Sequence, residues 1–61
     1  MEMDELCNGL RVRHTTWDQT GTIRQWVDVV EIVMDDGDEY EVFPRFGAVR
    51  PEDLEPIGDA S

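Results

Sequence analysis

Hydrophobic and polar residues alternate along residues 10–15 of the chain. Leu10, Val12 and His14 fall on one side of an extended backbone, and the residues between them are arginine or threonine. Side chains of a β-strand point alternately to the two faces of a sheet, so a period of two predicts a strand with one buried face. We therefore expect the first strand here.

Four more strands are predicted farther along the chain. They are rich in β-branched and aromatic residues, and turn-forming residues separate them. The strongest turn signal is Asp36-Gly37, because this pair readily adopts the positive φ angles of a tight hairpin. A change in the phase of alternation near Asp28 predicts a second turn or a bulge. The predicted strands are residues 10–15, 22–27, 29–34, 39–43 and 54–57, with one helical turn at 51–54.

These elements predict an all-β protein with no helix longer than about two turns. Residues on the apolar phase of the strands form the expected core. Trp17 and Tyr40 stand beside polar residues at strand ends, so we expect them to be more exposed than Trp26. The predicted buried residues are Leu10, Val12, Ile23, Val30, Ile32, Met34, Val42 and Leu54.

Several short motifs resemble one known superfamily. Residues 9–13 (Gly-Leu-Arg-Val-Arg) and 21–23 (Gly-Thr-Ile) are similar to the opening of KOW and Tudor-like domains. Residues 34–37 (Met-Asp-Asp-Gly) resemble the hairpin of Tudor-like barrels, and residues 51–57 resemble their last helical turn and strand. The resemblance implies a small five-stranded SH3-like barrel. It does not fix a function, because the superfamily includes RNA binders, methyl-lysine readers and peptide binders.

The 61-residue chain has room for one domain. We expect a loosely ordered acidic lead-in at residues 1–8, the barrel at 9–57 and a tail at 58–61. A domain of this size leaves little room for a deep substrate cavity. Cys7 is the only cysteine, which excludes an intramolecular disulfide and a zinc site built on several cysteines. A small domain without disulfides, and a start unlike a signal peptide, predict the cytoplasm.

Acidic residues dominate the charge of the chain. Fifteen Asp and Glu face five Arg and no Lys, which gives a formal net charge of −10. Such a charge keeps a protein soluble and repels nucleic acid and anionic membranes. We therefore expect a basic protein partner and no direct contact with bare nucleic acid or a membrane. The absence of lysine is typical of chains from GC-rich genomes and favours a bacterial or phage source.

The acids are concentrated in the 35–41 hairpin and just before the last strand. Their spacing does not match an EF-hand calcium loop, because Gly37 is the third residue from Asp35 rather than the sixth. We expect no metal and no other cofactor. The surface either binds a basic partner or is only solvated. This predicted acidic partner surface comprises Asp35, Asp36, Asp38, Glu39, Glu41, Glu52, Asp53 and Glu55.

Two smaller candidate sites have alternative interpretations. Aromatic rings near strand ends either form a cage for a methylated Lys or Arg, or fill the core. The aromatic candidates are Trp17, Tyr40, Phe43 and Phe46. Three arginines on the outward face of the first two strands either contact RNA, or pair across strands with acids such as Glu31 or Glu41. The basic candidates are Arg11, Arg13 and Arg24.

No catalytic constellation is evident. His14 is the only histidine, Cys7 is the only thiol, and neither has an evident catalytic partner. No phosphate-binding glycine loop, nucleophile elbow or metal triad occurs. We therefore predict a non-enzymatic protein-interaction module. Two alternatives stay open: a phage or mobile-element inhibitor whose acidic face imitates nucleic acid, and an RNA- or ribosome-associated barrel that uses the arginine patch.

Overall fold

Five strands account for most of the structure, a computed structural model that describes residues 2–57. The strands are β1 (Arg11–His14), β2 (Gln19–Gln25), β3 (Val30–Met34), β4 (Glu39–Glu41) and β5 (Leu54–Pro56). They form one antiparallel sheet in the order β4-β3-β2-β1-β5. Two short 3-10 helices, Met3–Glu5 and Pro51–Asp53, are the only helices in this part of the chain. The predicted all-β fold is confirmed, and the 58–61 tail lies outside the described residues.

Consecutive strands pair as antiparallel hairpins from β1 to β4, and β5 then returns to the other side of β1. Strands β4 and β5 are therefore the two edges of the sheet. The buried residues of the three central strands are two positions apart, which places one apolar layer on the inner face. Neither 3-10 helix is long or apolar enough to span a lipid bilayer.

Six of the eight predicted core residues are buried. They are Val12, Ile23, Ile32, Met34, Val42 and Leu54. Leu10 and Val30 are only partly buried, because each stands at the margin of the sheet where a strand begins. Val49 joins the core through a parallel bridge to Val42, although its segment has no regular alternation.

The N-terminal lead-in is anchored to the core, which differs from the expected loose order. The backbone N–H of Glu2 donates to a carboxylate oxygen of Glu5 at 2.8 Å and closes the 3-10 turn. Leu6 follows that turn and is 1% exposed within the core. A single apolar residue in an acidic segment has no periodicity, so alternation does not predict its burial.

The predicted order of tryptophan exposure is wrong. Trp26 is 55% exposed at the turn between β2 and β3, whereas Trp17 and Tyr40 pack against the core. The backbone of the β1–β2 turn explains the difference, because Asp18 has a left-handed φ of 57° and reverses the chain. This reversal folds Trp17 back onto the sheet and starts β2 at Gln19, three residues earlier than expected.

We predict that Leu6→Ala destabilises the protein by about 2–5 kcal/mol, because it removes a buried side chain and leaves a cavity. The free energy of unfolding in urea measures this effect. Cys7→Ser is the matched control, since Cys7 is exposed, and it should change stability by no more than about 0.5 kcal/mol. Equal stability of both variants would contradict the anchoring of the lead-in.

Candidate partner-binding surface

Charged side chains occupy the outward face of the sheet. Residues on this phase of the strands alternate with the buried ones and come from all five strands. Arginines occupy the neighbouring strands β1 and β2, and acids occupy β3, β4 and β5. The charged outward residues are Arg11, Arg13, Arg24, Glu31, Glu39, Glu41 and Glu55.

The carboxylate of Asp35, the residue after β3, accepts hydrogen bonds from residues of β1 and β2. Both terminal nitrogens of Arg11 donate to its carboxylate, at 2.8 and 3.0 Å, and the Thr20 hydroxyl donates as well. Arg11 also donates to the Thr22 hydroxyl at 2.9 Å. The hydrogen bonds to its carboxylate lower the pKa of Asp35 from 3.8 to about 2. The bond from the Arg11 guanidinium has the larger effect, and the bond from the Thr20 hydroxyl has the smaller one.

The other arginines of the predicted basic patch also have carboxylate partners. Arg13 donates to Asp18 at 2.6 Å and to Glu55 at 2.7 Å. Arg24 lies 3.9 Å from Glu39. None of the three pairs with Glu31 or Glu41 in residues 2–57, so the partners differ from those expected, although the cross-strand pairing itself is present. Phosphate groups would have to displace these carboxylates.

The predicted acidic surface divides into two groups. One group follows the β3–β4 hairpin, and the other lies beside β5 at the far edge of the sheet. Each acid of the second group has an arginine partner, because Arg50 lies 3.5 Å from Glu52 and 3.6 Å from Asp53, and Arg13 binds Glu55. In the first group Asp36, Asp38 and Glu41 have no ion-pair partner within residues 2–57.

A shallow cleft of about 260 Å³ opens beside the hairpin tip. It lies between the turn that joins β1 to β2 and the turn that joins β3 to β4. Its lining is acidic and polar around one methionine: Asp18, Gln19, Thr20, Met34, Asp35 and Asp36. Three acids line this cleft, yet the described residues contain no cluster of His, Cys, Asp or Glu arranged to hold a metal ion.

The four aromatic candidates form two separate pairs. The Trp17 and Tyr40 ring centroids lie 5.1 Å apart at 56°, and those of Phe43 and Phe46 lie 4.6 Å apart and nearly parallel. One face of Trp17 is covered by His14, whose ring is stacked on it at 3.9 Å. This contact supports the core interpretation for Trp17 and Tyr40, since a cage needs open ring faces.

Trp26 is the surface aromatic that sequence reasoning missed. Its indole N–H donates to Glu31 at 3.2 Å, and the Arg24 guanidinium lies 5.4 Å from the ring centroid. Val27 beside it is fully exposed. The position of Trp26 next to the predicted turn at Asp28 could have indicated its exposure, because alternation no longer ensures burial at a turn.

His14 is buried and closes the β1–β2 turn. Its Nδ1 accepts the backbone N–H of Trp17 at 3.1 Å, so the neutral ring carries its proton on Nε2. Nε2 has no hydrogen-bond partner in residues 2–57. Burial lowers the pKa of His14 below 6.5, an effect larger than the opposing attraction of Asp53.

Comparison of the chain with protein-family models, curated proteins and solved structures returns no match. The similarity to SH3-like barrels therefore rests on the sequence motifs and stays a prediction.

We predict that the contribution of His14 to stability falls as the pH drops below about 6.5. The unfolded chain binds a proton on His14 near that pH, whereas the folded chain resists protonation until a lower pH. The free energy of unfolding measured between pH 7 and pH 5 should have a smaller slope in His14→Phe than in the wild type. The acids titrate in both proteins, so the difference between slopes isolates His14. Identical slopes would contradict the buried neutral imidazole.

We also predict that Arg11→Gln raises the pKa of Asp35 from about 2 toward 3.8, because it removes the main partner of that carboxylate. The wild-type contribution of Asp35 to stability is present above pH 3.8 and is lost as the pH falls toward 2. Carboxyl carbon shifts in NMR follow the titration. Thr20→Val is the comparison variant and should raise the pKa of Asp35 less than Arg11→Gln does. A larger rise in Thr20→Val would contradict the conclusion that Arg11 is the main partner of this carboxylate.

Proposed function

We propose that this protein is a non-enzymatic interaction module that binds a basic segment of another protein. The observation that carries the proposal is the contrast in ion pairing on the outward face. The arginines of the patch are engaged by carboxylates at 2.6 to 3.9 Å, whereas Asp36, Asp38 and Glu41 have no such partner in residues 2–57. The attraction available to a second molecule is therefore for positive charge.

The same contrast supports this proposal over the RNA-binding alternative. An RNA-binding barrel needs cationic groups that are available to phosphate, and those of the patch already bind acids. A nucleic-acid mimic also binds a basic protein, so it is a special case that the identity of the partner would settle.

The proposed SH3-like classification is supported by the five antiparallel strands and by the 3-10 turn before β5. The single cysteine supports a cytoplasmic location.

The test uses a short capped peptide in which Arg and Thr alternate. The site variant is Asp38→Asn with Glu41→Gln, and the control variant is Asp4→Asn with Asp28→Asn, which changes the net charge by the same amount. All four acids are exposed. Stopped-flow association rates, measured against ionic strength, should fall steeply with salt for the wild type.

The site variant should bind the peptide roughly three- to tenfold more weakly than the wild type, since two charge contacts are lost. The control variant should match the wild type. Equal weakening of both variants would show that only net charge matters and would contradict a defined site. Tighter binding of a mixed-sequence RNA oligonucleotide than of the peptide would favour the arginine patch instead.

A further inference from the structure

The two edges of the sheet differ in the backbone donors that they offer. In an antiparallel ladder, alternate residues direct both N–H and C=O to the neighbouring strand, and the others direct them away. At the β5 edge, the Ile57 N–H donates to Arg11 and the Asp53 carbonyl accepts from Thr15, so odd-numbered residues face β1. The outward residues are therefore Leu54 and Pro56. The Leu54 N–H is bound to the Pro51 carbonyl, and Pro56 has none. The β5 edge therefore offers no donor to another strand.

The β4 edge is open. The N–H of Val42 donates to Val30, and the carbonyl of Asp38 accepts from Met34, so the even-numbered residues of this strand face β3. Glu39 and Glu41 then direct their N–H and C=O groups away from the sheet. Beyond Glu41 the edge is covered, because the Phe43 N–H donates to Val49 at 3.3 Å. The open edge is thus limited to β4.

The charge beside this edge specifies what can bind there. Glu41 lies directly opposite Glu31 on β3, and like charges in that position repel. Arg24 lies opposite Glu31 on β2, but the carboxylate near its guanidinium is that of Glu39 at 3.9 Å. The Glu31 carboxylate accepts a hydrogen bond from the Trp26 indole. A cation arriving on the outer side of β4 would relieve this repulsion.

A second copy of the chain is a poor occupant of the same edge. Pairing β4 with β4 of another molecule would bring Glu39 and Glu41 close to their own counterparts, at a cost from like-charge repulsion. Charged residues at sheet edges are a common device against self-pairing. That device does not exclude a strand of opposite charge.

From these contacts we infer that the basic segment binds as an additional β-strand along Glu39–Glu41. This inference rests on the proposed function and specifies its mode. Main-chain hydrogen bonds join the segment to the outward groups of Glu39 and to the outward N–H of Glu41, and its alternate side chains lie over the outward face. The partner sequence therefore has Arg or Lys at every second position, opposite the two glutamates. The added strand ends beside Val49, which covers the edge beyond Glu41.

Two peptides of equal composition test this mode. In one, Arg and Thr alternate; in the other, the arginines form one block. NMR-detected amide exchange should slow at least tenfold for Glu39 and Glu41 when the alternating peptide is bound, because strand pairing buries and bonds their N–H groups. The block peptide should bind more weakly and leave both amides unprotected.

A pair of variants separates the backbone contact from the charge. Glu41→Gln and Glu41→Pro both remove the carboxylate, but only proline also removes the outward N–H. The proline variant should bind the alternating peptide about three- to tenfold more weakly than the glutamine variant, the effect of one hydrogen bond. Amide exchange of Val42 checks that β3 and β4 remain paired in both.

The outcomes distinguish the inference from the proposal on which it rests. Salt-dependent binding of both peptides with equal affinity, and without protection of Glu39 and Glu41, would overturn strand addition and leave the proposed function standing. No binding of either peptide at low ionic strength would overturn both. A dimer at neutral pH with these two amides already protected would show that a second copy occupies the edge.

Discussion

The close approach of β2 and β3 at Gly21 is the constraint on which the sheet depends. A Cβ atom at this position would lie 2.8 Å from the Val33 carbonyl oxygen and 3.0 Å from a side-chain carbon of Ile32. Glycine allows the central strands to pair at this distance, and Ile23 then stands opposite Ile32 in the middle of the core. A chain this short can build only one such apolar layer.

Because the apolar layer uses one face of the sheet, the side chains of the other face lie at the solvent and make polar contacts between strands. Arg11 and Arg13 do this from β1 by reaching Asp35 and Glu55, which are 24 and 42 residues away in the sequence. These groups are half-exposed, so each ion pair contributes little to stability. Their main consequence is the distribution of charge, since they neutralise the arginines and leave acids of the β3–β4 hairpin unbalanced.

Sequence periodicity predicted the residues that are buried by alternation within strands. It missed the residues that are buried or paired by the course of irregular segments and turns. The buried positions of β1, β2 and β3 follow a period of two, and the Asp36-Gly37 turn lies where the motif predicts it. Leu6 and Val49 are single apolar residues in irregular segments and have no such signal. The acids and arginines of the surface were predicted as groups, but their pairing depends on strand register and turn conformation, which the sequence pattern does not specify.

The sheet protects its two edges by different physical means. Pro56 removes a donor from the β5 edge whatever the solution conditions, because proline has no N–H. The glutamates of β4 leave the backbone donors in place and oppose pairing only through charge, an effect that weakens with added salt. Repulsion of this kind opposes the pairing of two copies but not the pairing of a strand of opposite sign, so in the strand addition that we infer one device would serve both purposes. The edge without proline is therefore the one at which an encounter with another chain can be regulated.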